Sequence, residues 1–219
     1  MPGRFITIEG GEGSGKSTLI KGLVDALKTL DIACLATREP GGTVGGEEIR
    51  NLLVRGGSAR WDAMSEALLL FAARRDLLMK VIAPQRAMGH WILSDRFIDS
   101  TVAYQGYGGG LSVTWIQDIY RTIAGGVLPD VTFLLDIEPE VGLSRAKERF
   151  KALDENQEQH QAENRFEGMD FAFHQRVRQG FLELASQESG RYVVIDGALS
   201  PQDILQVAMD SIQERFLLS

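Results

Sequence analysis

Residues 5–18 read Phe5-Ile-Thr-Ile-Glu-Gly-Gly-Glu-Gly-Ser-Gly-Lys-Ser-Thr18, and their order decides the fold. The opening run is apolar and β-branched, which predicts a buried strand over 5–8. From Gly10 the chain fits G-x-x-x-x-G-K-[ST], the pattern of a phosphate-binding loop. Beyond it, Leu19, Ile20, Leu23, Val24 and Leu27 recur at the spacing of an amphipathic helix. Glycines let the backbone turn tightly enough to aim its N–H groups at phosphate oxygens. The helix N-terminus adds partial positive charge. Residues Gly10, Gly11, Glu12, Gly13, Ser14, Gly15, Lys16, Ser17 and Thr18 are thus the expected triphosphate cradle. Lys16 is placed to reach the β- and γ-phosphates, and the Ser17 hydroxyl to join a Mg²⁺ shell. A nucleoside triphosphate is the expected ligand.

The 219 residues carry a net charge of −7. That length suits one domain, 1–219. The negative charge argues against non-specific binding to nucleic acid or to an anionic membrane, so anionic substrates need locally placed arginines. Cys34 is the only cysteine, which excludes an intramolecular disulfide and points to a reducing compartment. The first strand begins too early for a signal peptide, and no apolar run is long enough for a bilayer. A cytoplasmic protein is expected.

Apolar runs at 5–8, 33–37, 91–94, 131–137 and 192–195 predict five strands. Helical patterns fall at 16–29, 64–88, 113–124, 139–150, 170–186 and 201–216. Such alternation predicts a parallel sheet covered on both faces. Strands end at Glu9, Arg38, Asp95, Asp136 and Asp196, and open α/β sheets bind ligands beyond those ends. Glu9, Arg38 and Asp95 are therefore expected neighbours. The polar stretch 152–161 follows Arg145, Lys147, Arg149 and Lys151. By itself it reads as a solvated loop; beside a phosphate loop it reads as a mobile lid, spanning about 145–168.

A GTP switch needs Asn-Lys-x-Asp and Asp-x-x-Gly, and neither occurs here. The strand ending Leu93-Ser-Asp95-Arg96 suits a kinase instead, with Asp95 near Mg²⁺ and Arg96 on phosphate charge. An ordinary ion pair at a strand end is the plainer alternative. Arg38 precedes a Pro-Gly turn and offers a planar guanidinium for an acceptor phosphate; otherwise it is a solvated turn arginine.

Behind the loop come Thr-Arg-Glu-Pro-Gly-Gly-Thr (37–43), Leu-Leu-Phe-Ala-Ala-Arg-Arg (69–75), Ser-Asp-Arg-Phe (94–97) and Asp-Ser-Thr-Val-Ala-Tyr-Gln-Gly (99–106), with Leu-Pro-Asp-Val-Thr (128–132) and Asn-Arg-Phe-Glu (164–167) further on. In that order the chain resembles the thymidylate kinases. The resemblance implies a three-layer P-loop kinase fold, phosphorylation of dTMP to dTDP with ATP and Mg²⁺, and a homodimer. It implies that Phe71 stacks on thymine, that Arg75 donates to a thymine carbonyl, that Thr101 and Gln105 serve the remaining polar edge, and that Ser100 is among the dTMP-binding residues. Phe71 as a plain core residue, and 100–105 as a decorated helix start, are the alternatives. Tyr104 would pack near the sugar 2′ carbon and Glu12 would meet the 3′-hydroxyl. Arg38 and Arg96 would hold the acceptor phosphate. Some relatives carry an arginine inside the phosphate loop; this chain does not, so the cation for the transferring group must come from the lid, as in the bacterial-type branch. Arg149 is expected there, with Arg145 and Lys147 beside it. Arg74 stands where the family often has an acid. Rival readings are another nucleoside monophosphate kinase, or a regulatory protein that binds nucleotide without transferring phosphate.

Overall fold

The computed structural model describes residues 2–54, 60–152 and 168–217, with the side chains of 150–152 excepted. Most of the expected lid, with His160 and the 164–167 motif, lies outside the described residues. Strands β1 (Phe5–Gly10), β2 (Cys34–Arg38), β3 (Trp91–Asp95), β4 (Val131–Asp136) and β5 (Tyr192–Asp196) form one sheet in the order β2-β3-β1-β4-β5. All neighbours are parallel.

Alternation along β1 sorts the molecule into three layers, because successive strand side chains point to opposite faces. Ile6 and Ile8 join Leu93, Phe133 and Leu135 on one face. They are covered there by Leu19, Leu23 and Leu27 of α1 (Lys16–Thr29) and by Ile204, Ala208 and Ile212 of α9 (Pro201–Ile212). Phe5 faces the other way, into a core with Ile92, Leu134 and Tyr192. Helices α3 (Ala63–Leu77), α6 (Val113–Ala124) and α8 (Phe171–Gln187) cover that side. Each fully buried leucine, such as Leu23, contributes about 1.5–3 kcal/mol through burial.

The expected helix over 64–88 begins at Ala63, where the Asp62 carboxylate accepts the Ser65 N–H at 2.7 Å. It widens into a π-helical turn at Leu78–Ile82, then runs on as α4 (Ala83–Ala87). Pro84 has no N–H for the ladder, and a wide turn before it absorbs the missing bond. Two helical segments lie where the sequence suggested no helix, or only a helix start: α2 (Val44–Val54), and α5 (Ile98–Thr101) continuing as a π-helical turn over Val102–Gly108. Both contain glycines, which lower intrinsic helix propensity; packing supplies what propensity lacks. Helix α7 (Pro139–Ala152) follows β4. Among the described residues, no helix is long and apolar enough to cross a membrane.

Candidate active site

At the carboxyl end of β1 the chain turns through Gly10, Gly13 and Gly15, whose φ angles are 138°, 66° and 99°. Side chains beyond glycine rarely adopt these values. Gly15 caps α1, so the first helical N–H groups open into the loop. Lys16 Nζ lies over this loop, donating to the carbonyls of Gly10 at 3.1 Å and Gly11 at 2.7 Å. Burial, and then the Arg96 charge, pull Lys16 down to about 8. It remains cationic at neutral pH.

Parallel register brings the neighbouring strand ends to the same place. Ile8 pairs with Asp95, and Asp95 with Arg38. Ser17 Oγ donates to Asp95 Oδ2 at 3.4 Å. Arg96 follows with φ at 68°, unusual for a residue with a side chain. Its N–H bonds the Ile8 carbonyl and its own carbonyl accepts from Ser94 Oγ. That turn swings the guanidinium under the loop, where it donates to Gly10 O, Ser100 Oγ, Glu12 Oε1 and the Tyr104 hydroxyl oxygen. Tyr104 in turn donates to Glu12 Oε1 at 2.8 Å. The acid inside the phosphate loop is thereby offset. Burial alone would favour its neutral form, but Arg96, Lys16 and Tyr104 hold Glu12 down to about 2.

Glu9 sits beneath this turn, fully buried. It accepts the Phe97 N–H at 2.7 Å and the Ser100 hydroxyl at 2.6 Å. Burial, then the charge of Asp99, push it up to about 8.

A single cleft joins the loop, Asp95 and Arg96 to a pocket between α2, α3 and α5, lined there by Glu39, Leu70, Arg74, Thr101, Tyr104 and Gln105. Arg74 is 1% exposed. It donates to Glu39 Oε2 at 2.7 Å and to Thr101 Oγ1 at 3.0 Å. Burial raises Glu39 to about 7 despite that partner. Gln105 donates its amide to Glu66 at 3.0 Å. Among the described residues, three buried side-chain atoms around this pocket have no hydrogen-bond partner: Arg74 Nη1, a donor, and the acceptors Gln105 Oε1 and Glu39 Oε1. Buried polar atoms seldom stay unpaired, so the Arg74 donor and the Gln105 acceptor are candidates to meet a ligand edge of complementary pattern.

A sequence profile described as thymidylate kinase matches residues 8–207. The chain belongs to the thymidylate kinase family. It is 46% identical over 219 residues to a thymidylate kinase of Magnetococcus marinus, covering all of both chains. It is 44% identical over 213 residues to one of Caulobacter vibrioides, covering 97% of each. A crystal structure of thymidylate kinase from Ehrlichia chaffeensis superposes with a TM-score of 0.75 at 31% identity, covering 97% of this chain and 100% of that one.

Against the expectations drawn from the thymidylate kinases, two positions need correction. Phe71 does not line the cleft; it is buried in the core beside Trp115, ring centroids 6.3 Å apart. Arg75 does not line it either; it is exposed and donates to the Ile123 carbonyl at 2.6 Å. The cleft-facing pair is Leu70 and Arg74, the same four-residue spacing shifted by one. One residue on a helix is a rotation of about 100°, enough to carry a side chain from cleft to core. Glu39, Arg50 and Glu66 also line the cleft unanticipated.

Of the remaining expected site residues, all but Gly10, Gly11 and Lys147 line the same cleft. Arg38 lines the cleft and is held by Glu47 through two donated bonds, at 3.3 and 2.9 Å. Arg145 and Arg149 of α7 line the opposite wall, Arg145 donating to the Gly197 carbonyl at 2.8 Å. Leu199, Pro201 and Ile204 complete an apolar slot beside them. Asp136 is bound by Arg178 away from this wall. For a metal, Ser17 and Asp95 present two facing oxygens. No group of three or more His, Cys, Asp or Glu suited to an ion occurs among the described residues. Two protein oxygens fit Mg²⁺, which keeps waters and takes phosphate ligands, and would not suffice for a closed structural metal.

Proposed function

We propose that the chain transfers the γ-phosphoryl group of ATP to dTMP, giving ADP and dTDP. The observation that carries this is one cleft in which a phosphate loop, the Asp95-Arg96 turn and the buried Arg74–Gln105 pocket face each other. Thymine presents a carbonyl acceptor at O4 beside an N3–H donor, which complements Arg74 Nη1 and Gln105 Oε1. Cytosine presents the reverse pattern and would leave both groups unpaired, the kind of mismatch that polar pockets reject strongly. Leu70 supplies an apolar wall for the base. Tyr104 and Glu12 are proposed at the sugar, and Arg38, Arg96 and Ser100 at the acceptor phosphate.

In the reaction an oxygen of the dTMP phosphate attacks the γ-phosphorus in line while the bond to the β-bridging oxygen breaks, leaving ADP. Lys16 and the loop N–H groups hold the triphosphate, and Arg96 and Arg149 offset charge on the transferring group. Arg145 and the apolar slot are proposed at the adenine. Ser17, with Asp95 beside it, would hold Mg²⁺, which would supply charge neutralisation at the triphosphate. The whole chain is proposed to act as one domain, as a homodimer and, given Cys34 as a free thiol, in a reducing cytoplasm.

The test is ADP release from Mg·ATP with dTMP, dUMP, dCMP, dGMP, AMP or water as acceptor. Turnover with dTMP, weaker with dUMP and negligible with the rest, is the expected result. Acceptor-independent ADP release would leave a nucleotide-hydrolysing or regulatory protein; preference for another monophosphate would discard the base-pocket assignment alone.

A further inference from the structure

Helix α7 crosses the phosphate loop at a point where no side chain separates the two backbones. A methyl group added to Gly142 would collide with the Glu12 carbonyl oxygen, and one added to Gly13 with the Gly142 carbonyl. Both obstacles are backbone, which cannot move aside as a flexible side chain would. Gly142 lies in the first turn of α7, its N–H bonded to the Glu138 carbonyl at 3.0 Å. Arg145, Ala146 and Arg149 stand three, four and seven residues further, on the same helical face, and all three line the cleft.

The helix is also tied on its far side. Arg178 of α8 grips Asp136 and Glu138 just before α7 begins. Leu143, half-buried, lines a small cavity together with Gly10, Gly11 and Glu12. The loop therefore acts as the seat for the helix, and the glycine pair sets the spacing between them.

We propose that Gly142 is a positioning residue: its close backbone contact with Glu12 and Gly13 fixes the height at which Arg145 and Arg149 stand over the bound triphosphate. The glycine is otherwise costly, since alanine is the better helix former. Its position is explained by proximity. A side chain there must lift the helix off its seat, carrying both guanidiniums outward together. Displacements near 1 Å at such groups can cost about 10²-fold in rate.

This inference rests on the phosphoryl-transfer reading, and the test separates the two. ADP release with dTMP is measured for the wild type, Gly142→Ala, Leu143→Ala and the exposed control Val141→Ala, alongside thermal unfolding and dTMP binding without ATP. A wild type without dTMP-dependent turnover fails the activity reading itself. With an active wild type, we expect Gly142→Ala to lose about 10²-fold in kcat/KM for ATP. Its dTMP dissociation constant should stay within twofold, and Val141→Ala should be unchanged. Wild-type turnover in a folded or more stable Gly142→Ala overturns the proposal, as does an equal loss in dTMP binding. If Gly142→Ala does not fold, Leu143→Ala decides, because it loosens the same seat without a clash. A several-fold defect confined to ATP supports the proposal, and wild-type constants overturn it.

Discussion

Replacing Glu9 by glutamine should flatten part of this protein's pH dependence of stability. The carboxyl is fully buried, bonded to Phe97 N–H and Ser100, and pushed up from 4.5 to about 8 by burial and the Asp99 charge. A raised folded-state value means that the native protein holds this proton more tightly than the unfolded chain does. The resulting stability is fully present below the unfolded value and is lost as pH rises through about 8. The rise from 4.5 to about 8 corresponds to about 5 kcal/mol over the whole window. Between pH 5.5 and 7.5, inside the window, the slope of about 1.4 kcal/mol per pH unit gives a change of about 3 kcal/mol. Glutamine can keep both contacts, its carbonyl accepting from Phe97 and its amide donating to Ser100, but it cannot ionise. Urea unfolding of the wild type and Glu9→Gln at pH 5.5, 6.5 and 7.5 measures the difference directly. Glu39, whose shift arises from burial and Arg74 and not from Glu9, cancels in the comparison. The variant should gain on the wild type by about 3 kcal/mol across that range. Parallel stability curves would refute the claim that Glu9 is held neutral beneath the Arg96 turn.

Arg74→Met should cut kcat/KM for dTMP by about 10²-fold or more and destabilise the fold by about 3 kcal/mol, since Glu39, with a side chain 3% exposed, loses its partner. Arg75→Met should change both by little; steady-state kinetics and thermal unfolding of the pair test the corrected register, and equal effects would restore Arg75. Arg149→Ala should lower kcat about 10³-fold while an ADP analogue binds within several-fold of normal, read by single-turnover kinetics and fluorescence titration. Ser17→Ala should raise the Mg²⁺ concentration for half-maximal turnover about tenfold, with dTMP binding unaltered in the absence of ATP.

The site combines two charge problems that the same turn resolves. An acid within the phosphate loop repels the triphosphate unless a cation is fixed beside it, and Arg96 is that cation, bonded at 2.8 Å. A guanidinium cannot reach under the loop from an ordinary strand end; the left-handed φ at Arg96 redirects it. Glu9 braces the turn through Phe97 and Ser100. Glu9 and Glu12 at the end of β1, and the distant Arg96 after β3, thus fix the arrangement on which the proposed binding of both phosphates depends.

How much of this was legible beforehand divides along a physical line. The strand–loop–helix unit at 5–29, the five strands and their carboxyl-terminal charges were readable, because each rests on local spacing, glycine conformation and apolar period. Family membership was readable too, since several motifs kept their order. The chain by itself did not determine which way α3 faces. Its apolar residues run continuously from Ala67 to Ala73, so both registers bury a hydrophobic side, and only packing against α2, α6 and the turn at 102–108 put Leu70 and Arg74 at the cleft and Phe71 in the core. Nor could it reveal α2, whose two glycines weaken the helical signal, or the seat at Gly142, which exists only because two backbones cross there. Local chemistry determined what the loop binds; the azimuth of helices and the distances between backbones, set by the whole core at once, decided which side chains surround it.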